Sequence, residues 1–176
     1  MTSTDRLAVR ARRRYEFGRA GRALPRALLA AGIAALGLAG CAPPTVSVVC
    51  VVALATALWA CFWRGSAWGR GARIGWAAGL LPGLTPATIR LTQDHCALLC
   101  EHLMIVCVLC GVGAGAVVAT YGLKGGAEPR FLAAAGGTAV LVGMVGCIPA
   151  GLAAAVGMAL AVSLIASAPL LASHRT

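Results

Sequence analysis

The chain has 176 residues, 60% of them hydrophobic and 11% charged, with a mean hydropathy of +0.87. Soluble domains carry about 25% charged residues, so this composition excludes a water-solvated globular fold and predicts an all-α, polytopic membrane helical bundle. The formal charge of +10 is read through the placement of its cations along the chain, and no direct contact with nucleic acid is expected.

Residues 1–26 form a basic arm in which eight arginines stand against Asp5 and Glu16. Such an arm serves as a topogenic signal, with its charges solvated. It can also hold a partner, and then Leu7, Val9, Arg10, Arg13 and Tyr15 are the candidate contacts. Residues 27–42 are the first apolar run, near the short end of the roughly 17–25 residues a span needs. LAGC at 38–41 also resembles a lipoprotein cleavage site, which would make Cys41 a lipidated first residue. A second apolar run follows almost at once where a polar tether would be expected, which argues against cleavage.

Pro43 and Pro44 mark a turn. Residues 45–63 are the second span, with Trp59 and Trp63 suited to an interfacial belt. Residues 64–73 read as a basic loop. The third span, 74–91, contains Pro82 and Pro86 and is expected to break, kink or re-enter there. The fourth span covers 98–121, and 122–130 is a polar turn. The fifth and sixth spans cover 131–148 and 150–171, separated at Cys147-Ile148-Pro149. The resulting organisation is an arm at 1–26, a six-helix transmembrane domain at 27–172 and a short tail at 173–176. The glycines read as small packing residues spread through the spans.

Six crossings with a cytoplasmic N-terminus place the arm, 64–73, 122–130 and the tail on one side. All but one of the 15 Lys and Arg residues then lie inside, Arg90 being the exception. The positive-inside rule therefore predicts six spans with both termini cytoplasmic.

This topology sorts the thiols. Cys41, Cys96, Cys100 and Cys147 fall at or near the outer face, and Cys50 lies in the outer half of span two. Cys107 and Cys110 fall within span four, and Cys61 near the inner face. The densest stretch is HCALLCEHLMIVCVLC at 95–110. On a helix Cys96 and Cys100 share a face, as do His95 and His102. The outer group, Cys96, Cys100, His95, His102 and Cys147, is the candidate redox or soft-metal site. Its two candidate occupants are a disulfide joining Cys96 or Cys100 to Cys147, and a soft metal ion held by thiolate and imidazole. Cysteine also packs as a small hydrophobe, and Cys50, Cys61, Cys107 and Cys110 are assigned that role. No phosphate-binding glycine loop, HExxH motif or paired intramembrane carboxylates occur, so nothing in the sequence demands an enzyme.

The arm TSTDRLAVRARRR leading to ALPRALLAAG, the stretch GLKGGAEPRFLAAAGGTAVLVGMVGC, and cysteines before span four and after span five resemble the bacterial six-span membrane anti-sigma factors. These are negative regulators of extracytoplasmic-function sigma factors. The resemblance implies an inner-membrane protein whose cytoplasmic arm holds a sigma factor and whose outer cysteines sense a signal. Here the arm is shorter and more basic, and the outer cysteines exceed a single pair. EHLMIVCVLC separately resembles the quinone-linked membrane oxidase that makes disulfides. That family's second cysteine pair in a large outer loop, and its arginine shortly after the CxxC, are absent. A small metal or solute transporter is the remaining alternative.

Overall fold

The computed structural model describes residues 3–35, 44–92, 100–125, 128–147 and 151–173. These form six α-helices: α1 (Ser3–Ala35), α2 (Pro44–Arg64), α3 (Ser66–Thr92), α4 (Cys100–Lys124), α5 (Pro129–Cys147) and α6 (Leu152–Ser173). No strand occurs among the described residues. The apolar runs set α2, α4, α5 and α6, whose ends fall within a few residues of the expected spans. Cys41 and the expected turn at Pro43 lie outside the described residues.

Three elements depart from expectation. The arm and the first span form one continuous helix, α1, with Pro25 inside it. Ala, Arg and Leu dominate this segment and are strong helix formers. Pro25 leaves the Gly21 carbonyl without its helical donor, but both residues are exposed, so that carbonyl can be solvated.

The second departure is the expected basic loop at 64–73, which is helical almost throughout. Gly65 alone separates α2 from α3. The reversal uses φ +65° at Gly65 and +42° at Ser66, and glycine adopts that left-handed conformation without steric penalty. The Gly65 N–H donates to the Cys61 carbonyl at 3.1 Å, closing α2. The Arg19 guanidinium donates to the Arg64 carbonyl at 2.8 Å, placing a cation on the helix C-terminus. Arg64 itself lies 5.6 Å from the centre of the Trp68 ring.

The expected break in the third span is also corrected. α3 runs unbroken through Pro82 and Pro86 to Thr92. Pro86 has no N–H to offer the Pro82 carbonyl. The Cys147 thiol lies 3.9 Å from that carbonyl oxygen and can donate to it. One residue earlier, the Thr85 hydroxyl donates to the Leu81 carbonyl, which the Thr85 N–H can also reach. A side-chain donor on α5 thus stands where Pro86 removes a backbone one.

α3 and α5 pack most intimately. Gly71, Gly75, Gly79 and Gly83, spaced by four, form a ladder along one face of α3. They let its backbone approach Phe131, Ala135, Ala139 and Val142 of α5. At the far end Gly146 meets the backbone of Gly83. α4 packs on α6 in the same manner, with Gly111 and Gly115 against Met158 and Val162. α1 lays Ala27, Ala30, Ala31 and Ala34 into a cluster with Leu54 and Leu58 of α2. Two indoles fasten α1: Trp59 of α2 donates to the Ala20 carbonyl, and Trp76 of α3 to the Ala30 carbonyl, both at 3.1 Å.

The core is mostly alanine and glycine, whereas large side chains face outward. Leu109, Leu152, Leu160 and Leu164 are all more than half exposed. A monomer in water rarely shows so extensive an apolar exterior; hydrocarbon solvates it well, and close packing of small residues then holds the helices together. Among the described residues, three helical segments are long and apolar enough to cross a membrane: Met104–Lys124, Pro129–Cys147 and Leu152–Leu171. The apolar part of α2, Val48–Arg64, is shorter, and α1 and α3 carry arginines along their length. All six expected helices are present, therefore, but three of them meet the criterion for a span.

Candidate functional site

The bundle has a basic end and a thiol end. At the thiol end, α5 finishes on Cys147, which is completely buried. The glycine ladder sets its depth, because it fixes how α5 lies against α3. The Cys147 sulfur stands 3.0 Å from the sulfur of Cys107, itself buried on α4. That is about 1 Å longer than a covalent S–S bond of about 2.05 Å. One turn along α4, the Cys110 sulfur lies 3.6 Å from the Thr85 hydroxyl of α3. Three helices thus bring thiols, a hydroxyl and a proline-freed carbonyl into one region, buried at Cys107 and Cys147 and part-buried at Cys110 and Thr85.

Cys147 is accordingly the one member of the expected sensing group whose side-chain surroundings are described. His95 and Cys96 lie outside the described residues. Cys100 and His102 fall on the first turn of α4, but their side chains lie outside the described residues. Cys147 contacts Cys107, which the sequence reading assigned to packing. Among the described residues no group of three or more His, Cys, Asp or Glu stands close enough to hold a metal ion. Among the described residues the near contact joins two thiols, the donors of a disulfide or of a two-coordinate soft metal. Its sequence signal was the CxxC at 107–110, which falls two turns below Cys100.

At the basic end, Tyr15 is 70% exposed and Phe17 is 83% exposed on α1. The side chains of Leu7, Val9, Arg10 and Arg13 lie outside the described residues, although α1 carries all four positions. Cys50 and Cys61 are half-buried in α2. Cavities open at this end among the described residues, and two of them carry arginines. One, between α3, α4 and α5, has a volume of about 500 Å³ and includes Arg70, Lys124 and Glu128. The Arg70 guanidinium there lies 3.8 Å from the Glu128 carboxylate, with both side chains well solvated, so the pair adds little to stability. The other cavity lies between α1, α2 and α3.

The fold and the thiol pair together define an all-helical bundle with an apolar exterior, several membrane-compatible helices and a buried cysteine contact between helices. No protein-family model, no curated protein and no solved structure matches the chain.

Proposed function

We propose that this protein is a multi-pass regulator of the bacterial inner membrane, with an anti-sigma-factor-like role. Its N-terminal arm holds a cytoplasmic partner, and thiols near the outer face sense redox state or a soft metal. The observation that supports this reading is the contact between Cys147 of α5 and Cys107 of α4, whose sulfurs stand 3.0 Å apart. Closing the pair draws α4 and α5 together, and α5 rests on α3, whose Trp76 is bonded to α1. The exposed Tyr15 on α1 offers an aromatic contact for the partner. A signal shifts the balance only if it favours one helix arrangement over the other.

The topology belonging to this reading is six crossings with both termini inside. Reporter fusions at Gly69 and Gly126 are expected to read cytoplasmic, and a fusion at Gln93 periplasmic. A cytoplasmic reading at Gln93 sinks the topology. Function is tested by co-purification from membranes. A sigma factor is expected with the intact chain, and deleting residues 1–22 is expected to release it. Bound quinone with no sigma partner would favour the thiol-oxidase alternative instead.

A further inference from the structure

The cavity between α1, α2 and α3 has a volume of about 710 Å³. Arg19, Arg22 and Arg26 line it from one face of α1, at spacings of three and four. Arg73 faces them from α3, and no Asp or Glu is among the lining residues. The neighbouring cavity differs on this point, since Glu128 already answers its cations. Beyond Arg26 the wall turns apolar, with Leu29, Ala30, Trp76 and Ala77, while Phe62 lies nearer Arg19. One end therefore suits an anion and the other suits hydrocarbon.

Several parts of the site are held in place. Arg19 is anchored on the Arg64 carbonyl at 2.8 Å, and the Arg73 Nε–H donates to the Gly69 carbonyl at 3.3 Å. Trp76 is fixed by its bond to Ala30. Each arginine carries five donors in a rigid fork, so Arg19 and Arg73 keep several free, with Arg22 and Arg26 beside them. Guanidinium forks match phosphate oxygens two at a time. Ordering these groups beforehand lowers the entropy lost on binding.

We infer that this cavity binds the phosphate of an anionic glycerophospholipid, with an acyl chain against Leu29 and Trp76. Basic pockets between membrane helices on the cytoplasmic side take anionic head groups in this way. Resting on the orientation proposed above, the arginine rim faces the inner leaflet. The phosphate could also come from a soluble phosphoester, which shares the head-group chemistry and lacks the chain.

The full chain in neutral detergent is titrated with phosphatidylglycerol, with phosphatidylcholine of the same acyl chains, and with glycerol phosphate, and bound ligand is read by native mass spectrometry. Phosphatidylglycerol is expected to bind at least ten times more tightly than phosphatidylcholine, by a factor of about 10 or more. The double variant Arg22→Gln/Arg26→Gln is expected to weaken phosphatidylglycerol about 30-fold. Arg14→Gln/Arg130→Gln removes the same charge outside the cavity and is expected to bind as the parent does. Equal binding of the two lipids, or equal loss in both double variants, overturns the site. Glycerol phosphate binding as tightly as phosphatidylglycerol overturns the lipid as its occupant. Binding in detergent does not depend on orientation, so a periplasmic reporter at Gly69 would overturn the topology and leave the binding result standing.

Discussion

Gly75→Leu is expected to separate α3 from α5 and to unfold the bundle at markedly lower temperature. A Cβ at this position would meet the Ala135 carbonyl oxygen and the Thr138 hydroxyl. The first is helix backbone. The second is held in place, since the Thr138 hydroxyl donates to the Ala134 carbonyl at 2.7 Å. Neither can give way as a flexible side chain would. Overpacking costs about 1–3 kcal/mol when side chains can adjust, so a loss at or above about 3 kcal/mol is expected here. Thermal unfolding in detergent measures it. Gly137→Ala is the contrast, because Gly137 is exposed and has open space at its Cβ position. Alanine there is expected to be neutral or to stabilise by about 0.5–1 kcal/mol through helix propensity. Similar losses from both substitutions would mean that the ladder does not join the two helices.

The second large effect concerns the thiol pair. Oxidation of membranes with an azodicarboxamide is expected to join Cys107 to Cys147. The two thiols give up two protons and two electrons, which the oxidant takes up as it becomes a hydrazine, and one S–S bond forms. With a protease site placed in the turn at 125–127, the two fragments are expected to stay together on a non-reducing gel and to part on reduction. Cys107→Ser and Cys147→Ser are each expected to abolish nearly all of the cross-link. Cys61 lies on α2 at the basic end of the bundle, so Cys61→Ser is expected to leave it intact. The same two variants are expected to lose partner release on oxidant or soft metal. Cross-linking that survives Cys107→Ser but not Cys147→Ser would show that Cys147 reaches a different thiol, with Cys96 and Cys100 the sequence-expected alternatives.

The outcome for these residues shows where sequence carries structural information. Four helices were legible from their apolar runs, because a long, uncharged apolar segment between polar breaks is a strong helix pattern. The segment at 64–73 was not, because its arginines read as loop residues. Arginine is in fact a good helix former, and Gly65 alone suffices for the reversal. Pro82 and Pro86 read as a break, but the compensation comes from Cys147, far along the chain and invisible to local pattern. The glycine ladder was legible in principle, since the spacing of four from Gly71 to Gly83 marks one helix face. Taken as dispersed small residues, the same glycines gave no prediction of which helices meet. The choice of Cys107 as neighbour to Cys147 follows from that meeting. It depends on how deep α5 sits against α3, and no spacing within α4 contains that depth.

The continuity of α1 has a mechanical consequence. An arm joined to its membrane segment by a flexible linker would lose any small motion of that segment to slack. Here Ala30, gripped by Trp76, and Tyr15, exposed at the basic end, belong to one helix. They are about 22 Å apart along its axis at 1.5 Å per residue. α1 is held a second time at Ala20, by Trp59, so the free end that carries Tyr15 is about 8 Å long, and a tilt of about ten degrees there moves it by about 1 Å. α1 is thus clamped at two carbonyls about 15 Å apart, and a displacement of α3 reaches its basic end only if α2 moves with it.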